Sequence, residues 1–164
     1  MRDLPEILRG GYCTRWHANP DLAHIRETLA EHHARVAQII LALHPQPSVA
    51  LIDAALHHDA GEPAVGDLPW FFKQAHPQIA ADHAAVEADV LAELGCSWPL
   101  SPEDVRWIKF ADRLAAYAHV AQMAPAVLQR DDWQCARADL VTAFQGLGDE
   151  GVLANHLRRI EGRA

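Results

Sequence analysis

Apolar residues recur along this chain at three- and four-residue intervals, and strand-like alternation is absent. That is the pattern of helices that each bury one face. Thr28-x-x-Glu31 has the form of a capping box and opens a helix that runs to about Leu43, where "HPQP" stops it. Ser48 caps a second helix through about Ala60, ended by Gly61 and Pro63. "GDLPWFF" reads as a turn entering a short helix that closes near His76-Pro77. A longer helix extends from about Gln78 to Leu94 and stops at Gly95. Ser101 and Pro102 take the N-cap and N1 positions of another, which reaches about Met123. Two more helices, near 132–145 and 150–160, complete the chain. The expected fold is all-α, a compact helical bundle, and with no repeat or linker the chain reads as a single domain over 1–164.

The same period sorts the polar groups. In helix 28–43 the apolar stripe is Leu29, Val36, Ile39, Ile40 and Leu43, and His32 falls on it. His33 is turned away by about 100°. In helix 48–60 the stripe is Leu51, Ile52, Ala55 and Leu56, and its continuation brings in His58 and Asp59. His57 stands over Asp53 and is expected on the wet face. In helix 101–123 the stripe is Val105, Ile108, Leu114 and Ala115, with Asp112 inside it. A carboxylate there is costly unless a cation pairs with it. Lys109 and Arg113 face other directions, so that cation is expected from elsewhere in the chain.

Three helices thus aim His32, the His58–Asp59 pair and Asp112 into the core. Two imidazoles and two carboxylates make a first shell for Zn²⁺, Mn²⁺, Fe²⁺ or Co²⁺ with positions left for water or substrate. Any one of them has a plainer reading. A single histidine on an apolar stripe is more often a hydrogen-bonded core residue than a ligand. Asp112 alone could belong to a buried ion pair. His83 shares a face with Ile79, Val86 and Val90 without any ligand role. Four such residues on three helices favour a divalent transition metal.

Composition narrows the partners. The chain carries 14 Lys and Arg against 22 Asp and Glu, a net charge of −8. A nucleic-acid polymer is therefore not expected as partner, since a binder of that kind presents a basic face. A small anionic substrate would need a metal or a few placed cations. "MRDLPEILRG" is mixed and short, so neither signal peptide nor membrane span is expected. Three cysteines without CxxC spacing suit a reduced, cytoplasmic setting, the host's if the chain is phage-encoded. Apolar surface in the C-terminal third is expected to support a homo-oligomer.

These residues resemble the HD-domain metal-dependent phosphohydrolases, whose ligand pattern H…HD…D is filled in order by His32, His58, Asp59 and Asp112. The likeness is closest to the bacterial 5′-deoxynucleotidase branch and its phage-encoded relatives that hydrolyse dATP. It rests on "RW" at Arg15–Trp16, "AEH" at Ala30–His32, "HHDAGE…GDLP" from His57 to Pro69 and "KFADRLAAY" from Lys109 to Tyr117, and covers roughly residues 12 to 120. The stretch between Asp59 and Asp112 is short for the bacterial enzyme and closer to the compact phage type.

The resemblance implies roles residue by residue. Glu62 matches the carboxylate that orients the attacking water and handles its proton. Asp67 matches the group that reads the sugar, accepting from its 3′-hydroxyl. Trp16 matches the residue that packs on deoxyribose and crowds out a 2′-hydroxyl, and Arg15 a phosphate or sugar-side contact. Lys73 is a further phosphate cation by charge and position. The implied activity is cleavage of the 5′-phosphate ester of 2′-deoxynucleotides with Co²⁺, Zn²⁺ or Mn²⁺, releasing deoxynucleoside and phosphate. The alternatives are a dATP or dNTP triphosphohydrolase releasing triphosphate, and a non-catalytic HD-like module that binds nucleotides.

Overall fold

The computed structural model describes residues 1–162, apart from the side chain of Trp70. The described residues form helices α1 (Leu4–Gly10), α2 (Leu29–Leu43), α3 (Val49–Ala55), α4 (Glu62–Val65), α5 (Trp70–Ala75), α6 (Pro77–Glu93), α7 (Pro102–Met123), α8 (Asp131–Phe144) and α9 (Glu150–Ile160). A 3-10 turn at Pro125–Gln129 joins α7 to α8. Among the described residues there is no strand, only one isolated bridge between Thr14 and Thr28. The fold is all-α, and none of these helices is long and apolar enough to cross a membrane.

The caps act as their residue types require. Thr28 accepts from the Glu31 N–H while the Glu31 carboxylate accepts from the Thr28 N–H, closing the capping box of α2. Ser101 and Asp104 make a second box, with Pro102 opening α7. Ser48 accepts from Leu51 N–H at the start of α3.

The core lies where α2 crosses α7. Val36, Ala37 and Ile40 of α2 pack with Trp107, Phe110, Ala111, Leu114 and Ala115 of α7, joined by Leu51 and Ala55 of α3 and by Phe144 and Leu157 from the C-terminal helices. Small residues at Ala37, Ala111 and Ala115 lie in the core that the two long helices share, and aromatic rings pack beside them. Trp107 meets Phe144 edge-on at 5.8 Å between ring centroids. By contrast, α4 and α5 pack against α6 at the periphery, and α6 buries no residue fully.

Several expectations are corrected. The buried face of α7 runs through Trp107, Phe110, Ala111, Leu114 and Ala115. Val105 is therefore turned outward at 39% exposure, and Asp112 sits at the margin of the face with its side chain 37% exposed. Leu56 is likewise out at 40%. Helix α3 ends at Ala55, not near Ala60. The reason is competition for carbonyls: His57 Nδ1–H donates to Asp53 O at 2.8 Å and His58 Nδ1–H to Ala55 O at 3.1 Å. Those two oxygens would otherwise accept the next helical turn. Apolar surface is not concentrated in the C-terminal third. Among its described residues Met123 and Val152 are the large exposed ones, whereas Leu4, Leu8, Tyr12, Val49 and Phe71 lie earlier. In the "WFF" stretch the side chain of Trp70 lies outside the described residues, Phe71 is exposed and Phe72 packs on His76.

Helix α1 was not expected and ties the N-terminal end to two places. The Arg2 guanidinium forks onto the Asp53 carboxylate, which also accepts from Trp98 Nε1–H at 2.7 Å. At the other end of α1, a Cβ on Gly10 would lie 2.9 Å from Cγ of Pro63 in α4, so only a residue without a side chain fits there.

The Arg2 hydrogen bonds, helped by Trp98 and opposed by burial, hold the Asp53 carboxyl at about 2. A carboxyl depressed in the folded state stabilises above its unfolded pKa of about 4 and loses that contribution as pH falls toward 2. Asp53→Asn should therefore lower stability clearly at pH 7 and progressively less at pH 4 and pH 3, measured by urea unfolding. A constant loss would trace the effect to packing and not to charge.

Candidate metal centre

His32 lies on the first turn of α2, fully buried, and His58 and Asp59 lie on the turns after α3. Asp112 lies midway along α7. One ligand atom from each falls within 4.8 Å of all the others. His32 Nε2 is 3.0 Å from Asp112 Oδ1 and 3.6 Å from Asp59 Oδ2; His58 Nε2 is 3.3 Å from Asp59 Oδ2 and 3.9 Å from Asp112 Oδ1. Donors each about 2.1 Å from a common ion sit about 3.0 to 3.5 Å apart. Two of the four distances, 3.0 and 3.3 Å, have that spacing, and the other two, 3.6 and 3.9 Å, exceed it by a few tenths of an ångström.

The surroundings of the imidazoles fit as well. His58 Nδ1–H is committed to the Ala55 carbonyl, so its Nε2 faces the cluster; burial disfavours positive charge there, but Asp59 and Asp112 outweigh it and push the imidazole up to about 9, so the site favours a cation. His58 Nε2 and both nitrogens of His32 are buried and make no well-directed hydrogen bond; the two Nε2 atoms face only carboxylate oxygens, at 3.0 to 3.9 Å. Orphaned imidazole nitrogens in a protein interior are costly, and a cation at the centre would satisfy the two Nε2 atoms together. Burial opposes ionisation of Asp112, but the imidazoles of His32 and His58 outweigh it and hold the carboxyl well below its usual range. The group can hold a metal ion.

The cation expected near Asp112 is Arg15, whose Nη2 is 3.9 Å from Asp112 Oδ1; Lys109 and Arg113 are exposed. Burial disfavours the Arg15 charge, yet Asp112, Asp59, Glu27 and Glu62 together raise its pKa. Its Nη1 is buried and has no partner. The guanidinium lies over the Trp16 ring at 5.6 Å. Trp16 occupies the left-handed region at φ 68°, a strained conformation for a bulky residue. It is held there by the hydrogen bond from its indole N–H to Glu27, at 2.8 Å, and by ring contacts to His119 and Trp133.

Glu62, Asp59 and Glu87 also come within 4.8 Å of one another. Burial, then the charges of Asp59 and Asp67, push the Glu62 carboxyl up to about 9, against the pull of Arg15. Lys73 Nζ reaches Asp67 Oδ1 at 3.7 Å, so the structure pairs these two across the "GDLP" turn. Neither makes a contact with the four ligand atoms. His83 now has a part: its Nε2–H donates to the Gly66 carbonyl at 2.8 Å and tethers that turn to α6.

The histidine doublets resolve as the period indicated, with differences at the second member of each. His33 is buried beside His58, with ring centroids 5.0 Å apart, and burial followed by the neighbouring imidazoles drives its pKa to about 2. His57 is not on a wet face: it is half-buried against Trp98 and bonded to Asp53. Three residues were not singled out from the sequence. Glu27 precedes the Thr28 cap, where helical periodicity says nothing of its direction. Glu87 and His119 each look like an isolated polar residue in an Ala-rich helix. No family model matches the chain, and no curated protein matches it.

An ion that binds the folded cluster and not the unfolded chain must raise stability. At a hundredfold excess over its dissociation constant, Zn²⁺ or Co²⁺ should add about 2.7 kcal/mol, or roughly 5 to 10 °C in the unfolding midpoint. Asp112→Asn should remove most of that shift in a thermal scan, while an undiminished shift would place the ion elsewhere.

Proposed function

We propose that this chain is an HD-domain-type phosphohydrolase that cleaves the 5′-phosphate ester of 2′-deoxynucleotides. The observation that carries the reading is the convergence of His32, His58, Asp59 and Asp112 with their inward imidazole nitrogens facing only carboxylate oxygens. The arrangement of Arg15, Trp16 and Glu62 around it adds support, as does its agreement with the residue pattern of the 5′-deoxynucleotidase branch. A divalent transition ion held by these four residues would polarise a phosphoryl oxygen and make water more acidic.

The chain's own groups do the rest. Arg15 offers a buried, unpaired N–H to a phosphate oxygen beside Asp112. Glu62 orients the water and takes its proton as the oxygen adds to phosphorus. Burial, then Asp59 and Asp67, raise its carboxyl in the metal-free protein; a cation at the cluster would oppose that rise and leave Glu62 as the carboxylate that the step needs. The P–O5′ bond breaks, and the proton passes from Glu62 to the departing 5′-oxygen. Trp16, fixed from behind by Glu27 and His119, forms the wall against C2′ of the sugar. Asp67, steadied by Lys73, is placed on the turn that accepts from the 3′-hydroxyl, while Lys73 supplies positive charge near the phosphate.

The test is product analysis with Co²⁺-loaded protein, offering dAMP, the other deoxynucleoside monophosphates, dATP and AMP in parallel. Orthophosphate from the deoxynucleotides with AMP spared supports the proposal. Triphosphate from dATP would assign the chain to the triphosphohydrolases, and no turnover with metal bound would make it a binding module. Glu62→Ala should keep the metal and lose about 10²- to 10⁴-fold in kcat; undiminished turnover removes its role. Trp16→Ala should narrow the ratio of dAMP to AMP hydrolysis with metal content unchanged. A preserved ratio sinks the sugar assignment.

A further inference from the structure

Glu27 is a carboxylate with no exposed surface, immediately before the helix that carries His32. Its Oε2 accepts from the Trp16 indole N–H at 2.8 Å, and its Oε1 from the Arg35 guanidinium. Its backbone carbonyl accepts from Arg15 N–H at 2.9 Å. On the metal side, His32 Nδ1 lies 3.8 Å from Oε1. That nitrogen is fully buried and has no hydrogen-bond partner.

A histidine that ligates through Nε2 must carry its proton on Nδ1, and that N–H needs an acceptor. Around His32 the facing carboxylate on that side is Glu27, since Asp59 and Asp112 both stand at Nε2. Closing 3.8 Å to a hydrogen bond requires a shift of about 1 Å, within the freedom of a glutamate side chain. We infer that Glu27 is a positioning residue that accepts the Nδ1 proton of His32 in the metal-loaded protein and, through its other oxygen, fixes the Trp16 ring. One buried carboxylate thereby sets both the orientation of a ligand and the wall of the sugar site. The inference rests on the metal-centre reading above and extends it to a residue outside the ligand set.

The experiment compares wild type with Glu27→Gln, an isostere that keeps an acceptor for Trp16 but removes the charge. Zn²⁺ is added to ¹⁵N-histidine-labelled protein, and both affinity and imidazole resonances are followed. In wild type the His32 Nδ1–H should appear far downfield, exchange slowly with water, and show through-space contacts to the Glu27 methylene protons. In Glu27→Gln it should move upfield and exchange faster, and Zn²⁺ affinity should fall about 10- to 100-fold. An unchanged resonance with affinity within about twofold of wild type would overturn the inference while leaving the metal centre intact. Should Glu27→Gln not fold, the contacts in Zn²⁺-loaded wild type decide alone: a Nδ1–H that touches another acceptor overturns it. Wild type that takes up no Zn²⁺ at His32 and His58 would remove the metal reading and this inference together.

Discussion

Two imidazoles and two carboxylates cannot be crowded together between helices unless something offsets the loss of water, and this requirement shapes the centre of the molecule. Their approach depends on the crossing of α2 and α7, where Ala37, Ala111 and Ala115 lie in the core that the two helices share. The early end of α3 belongs to the same economy of polar groups: the imidazoles of His57 and His58 take up carbonyls that a longer helix would have used. The bend that results turns Asp59 and Glu62 toward α7 and α6. Packing and polar satisfaction together place the ligands.

Charge is then layered outward from the cluster. Arg15 meets Asp112, Glu62 and Glu87 gather at Asp59, and Asp67 adds its charge at Glu62. The protein as a whole is acidic, but its cations are placed: Arg15 beside Asp112 and Lys73 beside Asp67.

Much of this was legible in the sequence, for reasons that differ from residue to residue. The capping box at Thr28 and the N-cap Ser101 with Pro102 behind it fixed two helix starts because their chemistry is local. His32 followed from α2, whose apolar stripe is long enough to define an inward direction. The stripe of α7 was placed with Val105 on it, since nothing along the chain reveals that Trp107 and Phe110 win the buried face through contacts with Phe144. The end of α3 was missed because imidazole-to-carbonyl bonds compete with a helix only once the fold holds them. Helix α1 lacks a continuing apolar period, and Glu27 lies where no period applies. The four residues of the cluster could be named from the sequence, Asp112 from a stripe drawn through Val105 and the His58–Asp59 pair from a helix drawn too long; the long-range contacts that support them could not.

The contact between Gly10 and Pro63 has a consequence of another kind. It braces the residue next to Glu62 without touching any group that would meet a substrate. A survey of every substitution along this chain, scored by activity, would rank Gly10 among the least tolerant positions. The mark it left would resemble that of a ligand. It would record only volume: a place where the path of the chain leaves no room for a methyl group, and where intolerance says nothing about chemistry.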